Sequence, residues 1–143
     1  LLVTRSRFGF DLADNYTAMA RAGADLKKAT FFLPPYEWYN DSIAAWTRDL
    51  KLRLISYTPG TLSHADYTTV QDKNYRSSEA IYNSIIQYEQ SHPAGLNGFI
   101  LLMHIGAGPG RPDKFYQQLP RLLQYLKQKG YHFQRVDELL TTR

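Results

Sequence analysis

Gly98-Phe99-Ile100-Leu101-Leu102-Met103-His104 is a continuous apolar run of strand length that ends on an imidazole. A strand apolar at every position is buried on both faces, as in a parallel sheet covered by helices. Just upstream, residues 77–90 place Ile81, Ile85 and Tyr88 at helical spacing behind a capping Ser77 or Ser78. Downstream, residues 105–112 form a Gly- and Pro-rich loop. Residues 113–129 then set Phe115, Leu119, Leu122, Leu123 and Leu126 along one side of a helix. Pro120 inside that helix implies a kink, or a short turn followed by a fresh helix start. Gly130 ends it, residues 131–136 read as a last strand, and residues 137–140 as a final helical turn.

The first half of the chain alternates in the same way. Residues 11–22 put Leu12, Tyr16, Met19 and Ala20 on one helical face, with Met19 in the core and Gly23 as the stop. Residues 30–33 read as a short strand that runs into Pro34-Pro35, since residues entering a Pro-Pro are pushed to extended backbone. Asn40 or Asp41 caps a helix through about residue 50, with Ile43 and Trp46 inward; residues 52–57 alternate as a strand. Residues 58–74 are polar and irregular, long enough for a functional loop. Strands separated by helices, with no hairpin signal, predict an α/β fold of mainly parallel strands and crossover helices, one domain over residues 1–143.

The 143 residues are 43% hydrophobic, enough for one globular core. The net charge of +4 comes from scattered pairs such as Arg5 and Arg7, Lys27 and Lys28, or Lys127 and Lys129. With no basic stripe, the sequence argues against nucleic acid as a partner. No 18-residue apolar run is present, so no membrane span is expected. The absence of cysteine excludes disulfides, thiol catalysis and cysteine-ligated metal within this chain.

Three segments carry candidate chemistry. His104 closes the most hydrophobic strand at the edge where open α/β sheets bind ligands, so it is the leading general acid or base; a histidine satisfied by a backbone carbonyl is the plainer alternative. His64-Ala65-Asp66 holds an imidazole and a carboxylate two apart, which in extended backbone converge to hold a metal or to orient one another. An Asx turn is the structural alternative. The loop Pro34-Pro35-Tyr36-Glu37-Trp38-Tyr39-Asn40 offers aromatic plates beside a carboxylate and an amide, which suits a sugar; equally, its aromatics would pack against the next helix. The segment Ile105-Gly106-Ala107-Gly108-Pro109-Gly110 lacks both the dinucleotide fingerprint and the phosphate-loop lysine, which argues against nucleotide binding.

Taken together, Phe32-Leu33-Pro34-Pro35-Tyr36, Leu101-Leu102-Met103-His104, Leu119-Pro120 and Lys129-Gly130-Tyr131-His132-Phe133, followed by Val136-Asp137-Glu138-Leu139-Leu140, resemble the polysaccharide deacetylases of carbohydrate esterase family 4, the NodB-homology fold. The order and spacing agree from about residue 30 to the end. The resemblance implies a (β/α) barrel-like fold, present here as its carboxyl-terminal part. It also implies metal-assisted removal of an acetyl group from a polysaccharide or oligosaccharide in an extracellular or periplasmic setting. On that reading His104 is the general acid that protonates the leaving group, and Asp66 stands in for the carboxylate that partners it. Pro35, Tyr36, Glu37, Trp38 and Tyr39 bind substrate, and Leu102 lines the acetyl pocket. The divalent metal, usually zinc, has no identified ligands here; the family's Asp-Asp motif and paired histidines are expected upstream of Leu1. Leu33 stands where the family has an arginine, and Glu37-Trp38-Tyr39-Asn40 where it has a glycine. These departures leave two alternatives: a non-catalytic carbohydrate-binding domain that keeps the fold, or an unrelated α/β enzyme using His104, His64 and Asp66.

Overall fold

Two phenylalanines and the residues twenty-two positions further on make the one ladder among the described residues: Phe31 pairs with Arg53 and Phe32 with Leu54, in parallel. The computed structural model describes residues 3–140, and the chain divides into two compact units, Leu1–Ser56 and Tyr57–Arg143.

In the first unit, helix α1 (Arg5–Arg21) begins six residues earlier than its apolar periodicity predicts, because the Thr4 hydroxyl accepts the Arg7 N–H and caps it. Gly23, at φ 82°, ends the helix in the left-handed conformation, and the Ala24 N–H reaches back to the Met19 carbonyl. Strand β1 (Phe31–Phe32) leads through the proline loop to helix α2 (Asp41–Asp49), whose first turn is capped by the Asn40 side chain. Strand β2 (Arg53–Leu54) returns beside β1, with Arg53 N–H bonded to the Thr30 carbonyl and Ile55 N–H to the Phe32 carbonyl. A helix between two parallel strands is the expected crossover unit. Phe8 of α1 is its buried anchor, edge-on to Phe32 and tilted against Trp46 of α2. Leu12, Tyr16 and Met19 are half-buried, while Ala20 is exposed.

The second unit is built on helices. Helix α3 (Ser78–Ser91) is capped by Ser77, and helix α4 (Leu119–Gln128) carries Pro120 in its first turn after a 3-10 turn at Phe115–Gln118. Of the two readings of Pro120, the fresh helix start is the one realised; at that position the missing N–H costs nothing. Ile81, Tyr82 and Ile85 of α3 pack with Leu96, Phe115, Leu122 and Leu126 as the core. A last helical turn, α5 (Val136–Leu139), follows. Gly95 and Gly60 both have positive φ, and at each an added Cβ would run into a tyrosine, Tyr131 and Tyr88 respectively.

Two predicted strands are not formed. Residues 98–104 make one backbone bond to a neighbouring segment, Thr58 N–H to the Ile100 carbonyl, and the Thr58 hydroxyl accepts the Ile100 N–H in return. Pro59 then brings no N–H to continue the ladder, and Gly60 at φ 122° turns the chain away. The run is apolar because Phe99, Leu101 and Met103 lie against the helical core. Residues 131–135 likewise have no strand partner among the described residues. Among the described residues the fold is therefore α/β with a sheet of two strands instead of several.

Ile85 is wholly buried in the centre of this cluster, so Ile85→Ala is expected to lower unfolding free energy by about 2–5 kcal/mol. Chemical denaturation of the full chain checks it; a loss below about 1 kcal/mol would mean that the core is not closed around α3.

Candidate functional site

The irregular stretch after residue 58 contains a 3-10 turn, Ser63–Tyr67, that takes Asp66 out of solvent. The Leu62 N–H donates to the Ser84 hydroxyl on α3, and both the N–H and the hydroxyl of Thr68 donate to the Ala65 carbonyl, closing the turn on each side. Asp66 is 1% exposed. One of its carboxylate oxygens accepts the backbone N–H of His104 at 2.6 Å, and the other lies 2.6 Å from His104 Nδ1.

An ionised carboxylate only accepts, so Nδ1 is the protonated nitrogen and Nε2 is left for chemistry. The imidazole is about one-third exposed and stands edge-on to the Tyr67 ring, with centroids 5.4 Å apart. The pair is thus a histidine of fixed tautomer and fixed orientation, open to solvent on one side. Such a group gives or takes a proton at a defined point. Leu102, two residues before His104, is half-buried.

His64 does not join the pair. A 3-10 turn advances about 120° per residue, so residues two apart diverge, whereas extended backbone would have aligned them. His64 stacks on Tyr57, centroids 5.0 Å apart, and its buried Nδ1 has no hydrogen-bond partner. Among the described residues no three His, Cys, Asp or Glu side chains cluster as a metal site.

Sequence reasoning passed over Arg111, which is 1% exposed. Its guanidinium donates to the carbonyls of Asp113 (2.7 Å), Thr68 (2.9 Å) and Arg76 (2.9 Å) and to the Ser78 hydroxyl (3.2 Å). Asp113 lies 3.5 Å from it and also accepts from the Tyr75 hydroxyl and the Ser78 N–H. Burial pushes the Asp113 carboxyl up, but these hydrogen bonds and the Arg111 charge outweigh it and hold the group below its ordinary value. The Tyr75 hydroxyl, held first by its bond to Asp113, is raised. The one sequence signal was an arginine inside a Gly/Pro loop rich in uncommitted carbonyls, with an aspartate two positions on.

Pro35, Tyr36, Glu37, Trp38 and Tyr39 belong to the first unit. Pro35–Glu37 form a tight turn in which Tyr36 and Glu37 both sit at φ 57°, a left-handed conformation costly for side chains of this size. Pro34 is buried, while Tyr36 and Trp38 are 86% and 83% exposed. Of the two readings of this loop, packing against the following helix is not what these rings do. They border a groove of about 650 Å³ whose walls include Asp11, Asn15, Tyr16, Leu33 and Glu37.

No family model, curated protein or solved structure matches this chain.

Because the Asp113 carboxyl is lowered in the folded chain, its contribution to stability is complete above the ordinary value of 3.8. That contribution disappears as the pH falls through the lower folded-state value. Asp113→Asn is expected to flatten the acid limb of the stability curve below about pH 4 relative to the native chain. Thermal unfolding across the acid range measures it, and parallel acid limbs would contradict the network.

Proposed function

We propose that this chain is a polysaccharide-deacetylase-like hydrolase acting on acetylated carbohydrate, with His104 as general acid and Asp66 as the carboxylate that orients it. The observation that supports it best is the buried Asp66 carboxylate engaged at both oxygens by His104. Removing an acetyl group expels an amine or alkoxide that needs a proton; a histidine whose Nδ1–H stays on Asp66 delivers that proton from Nε2 when the ring carries a proton on both nitrogens, and returns to the neutral Nδ1–H form. The motif order from Phe32 to Leu140 supports the same reading, as does an exposed aromatic turn of the kind that stacks on sugar faces. The reading takes the β1–α2–β2 crossover as one module of a (β/α) barrel, Leu102 as part of the acetyl pocket, and the site of action as extracellular or periplasmic. The divalent metal of the family has no ligand set among the described residues, so His104 and Asp66 account for the proton transfer alone.

A second reading is a carbohydrate-binding domain without turnover. Leu33, 44% exposed where the family has an arginine, favours it, together with the bare rings of Tyr36 and Trp38.

Acetate release from acetylated chito- and xylo-oligosaccharides, assayed with and without chelator, separates the two. On the first reading His104→Asn lowers kcat by about 10²–10⁴-fold. Trp38→Ala weakens sugar binding by up to about tenfold, the worth of one aromatic stacking contact. Sugar binding with no acetate release would leave the second reading standing, and neither binding nor release would remove both.

A further inference from the structure

We propose that Arg111 is a positioning residue for the His104–Asp66 pair: by tying the chain after Asp66 to the loop after His104, it sets the separation at which carboxylate and imidazole meet. The inference rests on the reading of that pair as acid and orienting group.

The two members of the pair come from different segments, thirty-eight positions apart, and each segment is irregular. Ahead of the pair, the reciprocal Thr58–Ile100 bonds tie the two segments together. Beyond the pair, Arg111 ties them. Thr68, whose carbonyl accepts from the guanidinium at 2.9 Å, is two residues past Asp66, and the double bond from Thr68 to the Ala65 carbonyl makes the intervening chain a closed turn. Arg111 itself lies seven residues past His104 in the Gly/Pro loop. That loop is gathered from inside as well, because the Lys114 ammonium donates to the carbonyls of Ala107 (2.7 Å) and Gly108. Three further guanidinium hydrogens go to the Asp113 and Arg76 carbonyls and the Ser78 hydroxyl, which fixes both segments to the start of α3.

Arginine suits this work because its donors form a rigid planar fork, whereas an ammonium is a point charge that cannot hold carbonyls on several segments at set angles. Its charge is matched by Asp113 at 3.5 Å and by the Tyr75 ring, 5.3 Å below it. Here the bonded carbonyls belong to the segments that carry the pair.

The test reads the His104 Nδ1 proton by NMR in the full chain, which needs no turnover. The groups facing that ring are the Asp66 carboxylate and the Tyr67 ring. The native chain should show a slowly exchanging low-field Nδ1–H. In Arg111→Lys, which keeps the charge and loses the fork, exchange of that proton should be about tenfold faster with helical circular dichroism retained, the scale of one lost hydrogen bond. A comparison variant, Arg121→Met, removes the exposed contact with Glu79 and the Tyr82 ring. It should lower the melting temperature and leave the Nδ1 proton alone. Equal exchange in native and Arg111→Lys chains, equal acceleration in Arg121→Met, or no protected Nδ1–H in the native chain would each overturn the proposal. If Arg111→Lys does not fold, Ser78→Ala decides: it removes a hydroxyl that accepts from the guanidinium itself, so faster exchange supports the proposal and unchanged exchange overturns it. Absence of acetate release from the native chain, with the NMR result as expected, would remove the deacetylase reading and leave Arg111 in its role.

Discussion

A carboxylate taken out of water has to be satisfied on both its oxygens, and in this chain one residue satisfies both. His104 offers its backbone N–H to one oxygen of Asp66 and its ring nitrogen to the other. The arrangement couples main chain and side chain. The imidazole cannot rotate away without leaving one oxygen of a buried anion unmatched, and the backbone cannot slip without moving the ring. Much of the second unit's irregular chain serves this contact: the closed turn at Ser63–Tyr67, the Gly/Pro loop and the Arg111 bonds all hold segments that no ladder holds.

The helices were legible because their signals are local. Asn40 and Ser77 cap as their residue types dictate, and Gly23 and Gly130 stop α1 and α4 through positive φ. The strands were not. A run of five large apolar residues, Phe99 to Met103, is equally satisfied by a sheet or by a helical core on one side, and Phe99, Leu101 and Met103 take the second option. Hydrogen-bond partners decide between these, and a partner is a non-local fact that apolar periodicity does not encode. The early start of α1 was missed for a related reason: Thr4 caps through a single hydroxyl, and the apolar stripe becomes regular only further along.

The site divides in the same way. His104 and Asp66 stood out as chemistry-bearing residues, but the alignment of His64 with Asp66 assumed extended backbone where the chain makes a 3-10 turn. Arg111 gave almost no signal, because a buried arginine looks like any surface arginine until its carbonyl partners are known. In the aromatic turn, by contrast, Tyr36 and Glu37 adopt a conformation that glycine would adopt freely. Bulky side chains held there, with the rings of Tyr36 and Trp38 turned to solvent, follow from no packing need within the first unit.

The pairing of Asp66 with His104 also bears on when the site comes into being. Its two halves are separated by a stretch that contains the whole of α3, so closing the contact carries the loop entropy of a distant encounter, lessened only once that helix is in place. Helix α3 forms from neighbours, the dyad from strangers. A molecule in which α3 and α4 are already wound and docked can therefore still lack the dyad, and ellipticity would not tell the two apart. Helical content in this chain measures folding; the protection of a single imidazole proton measures closure of the pair.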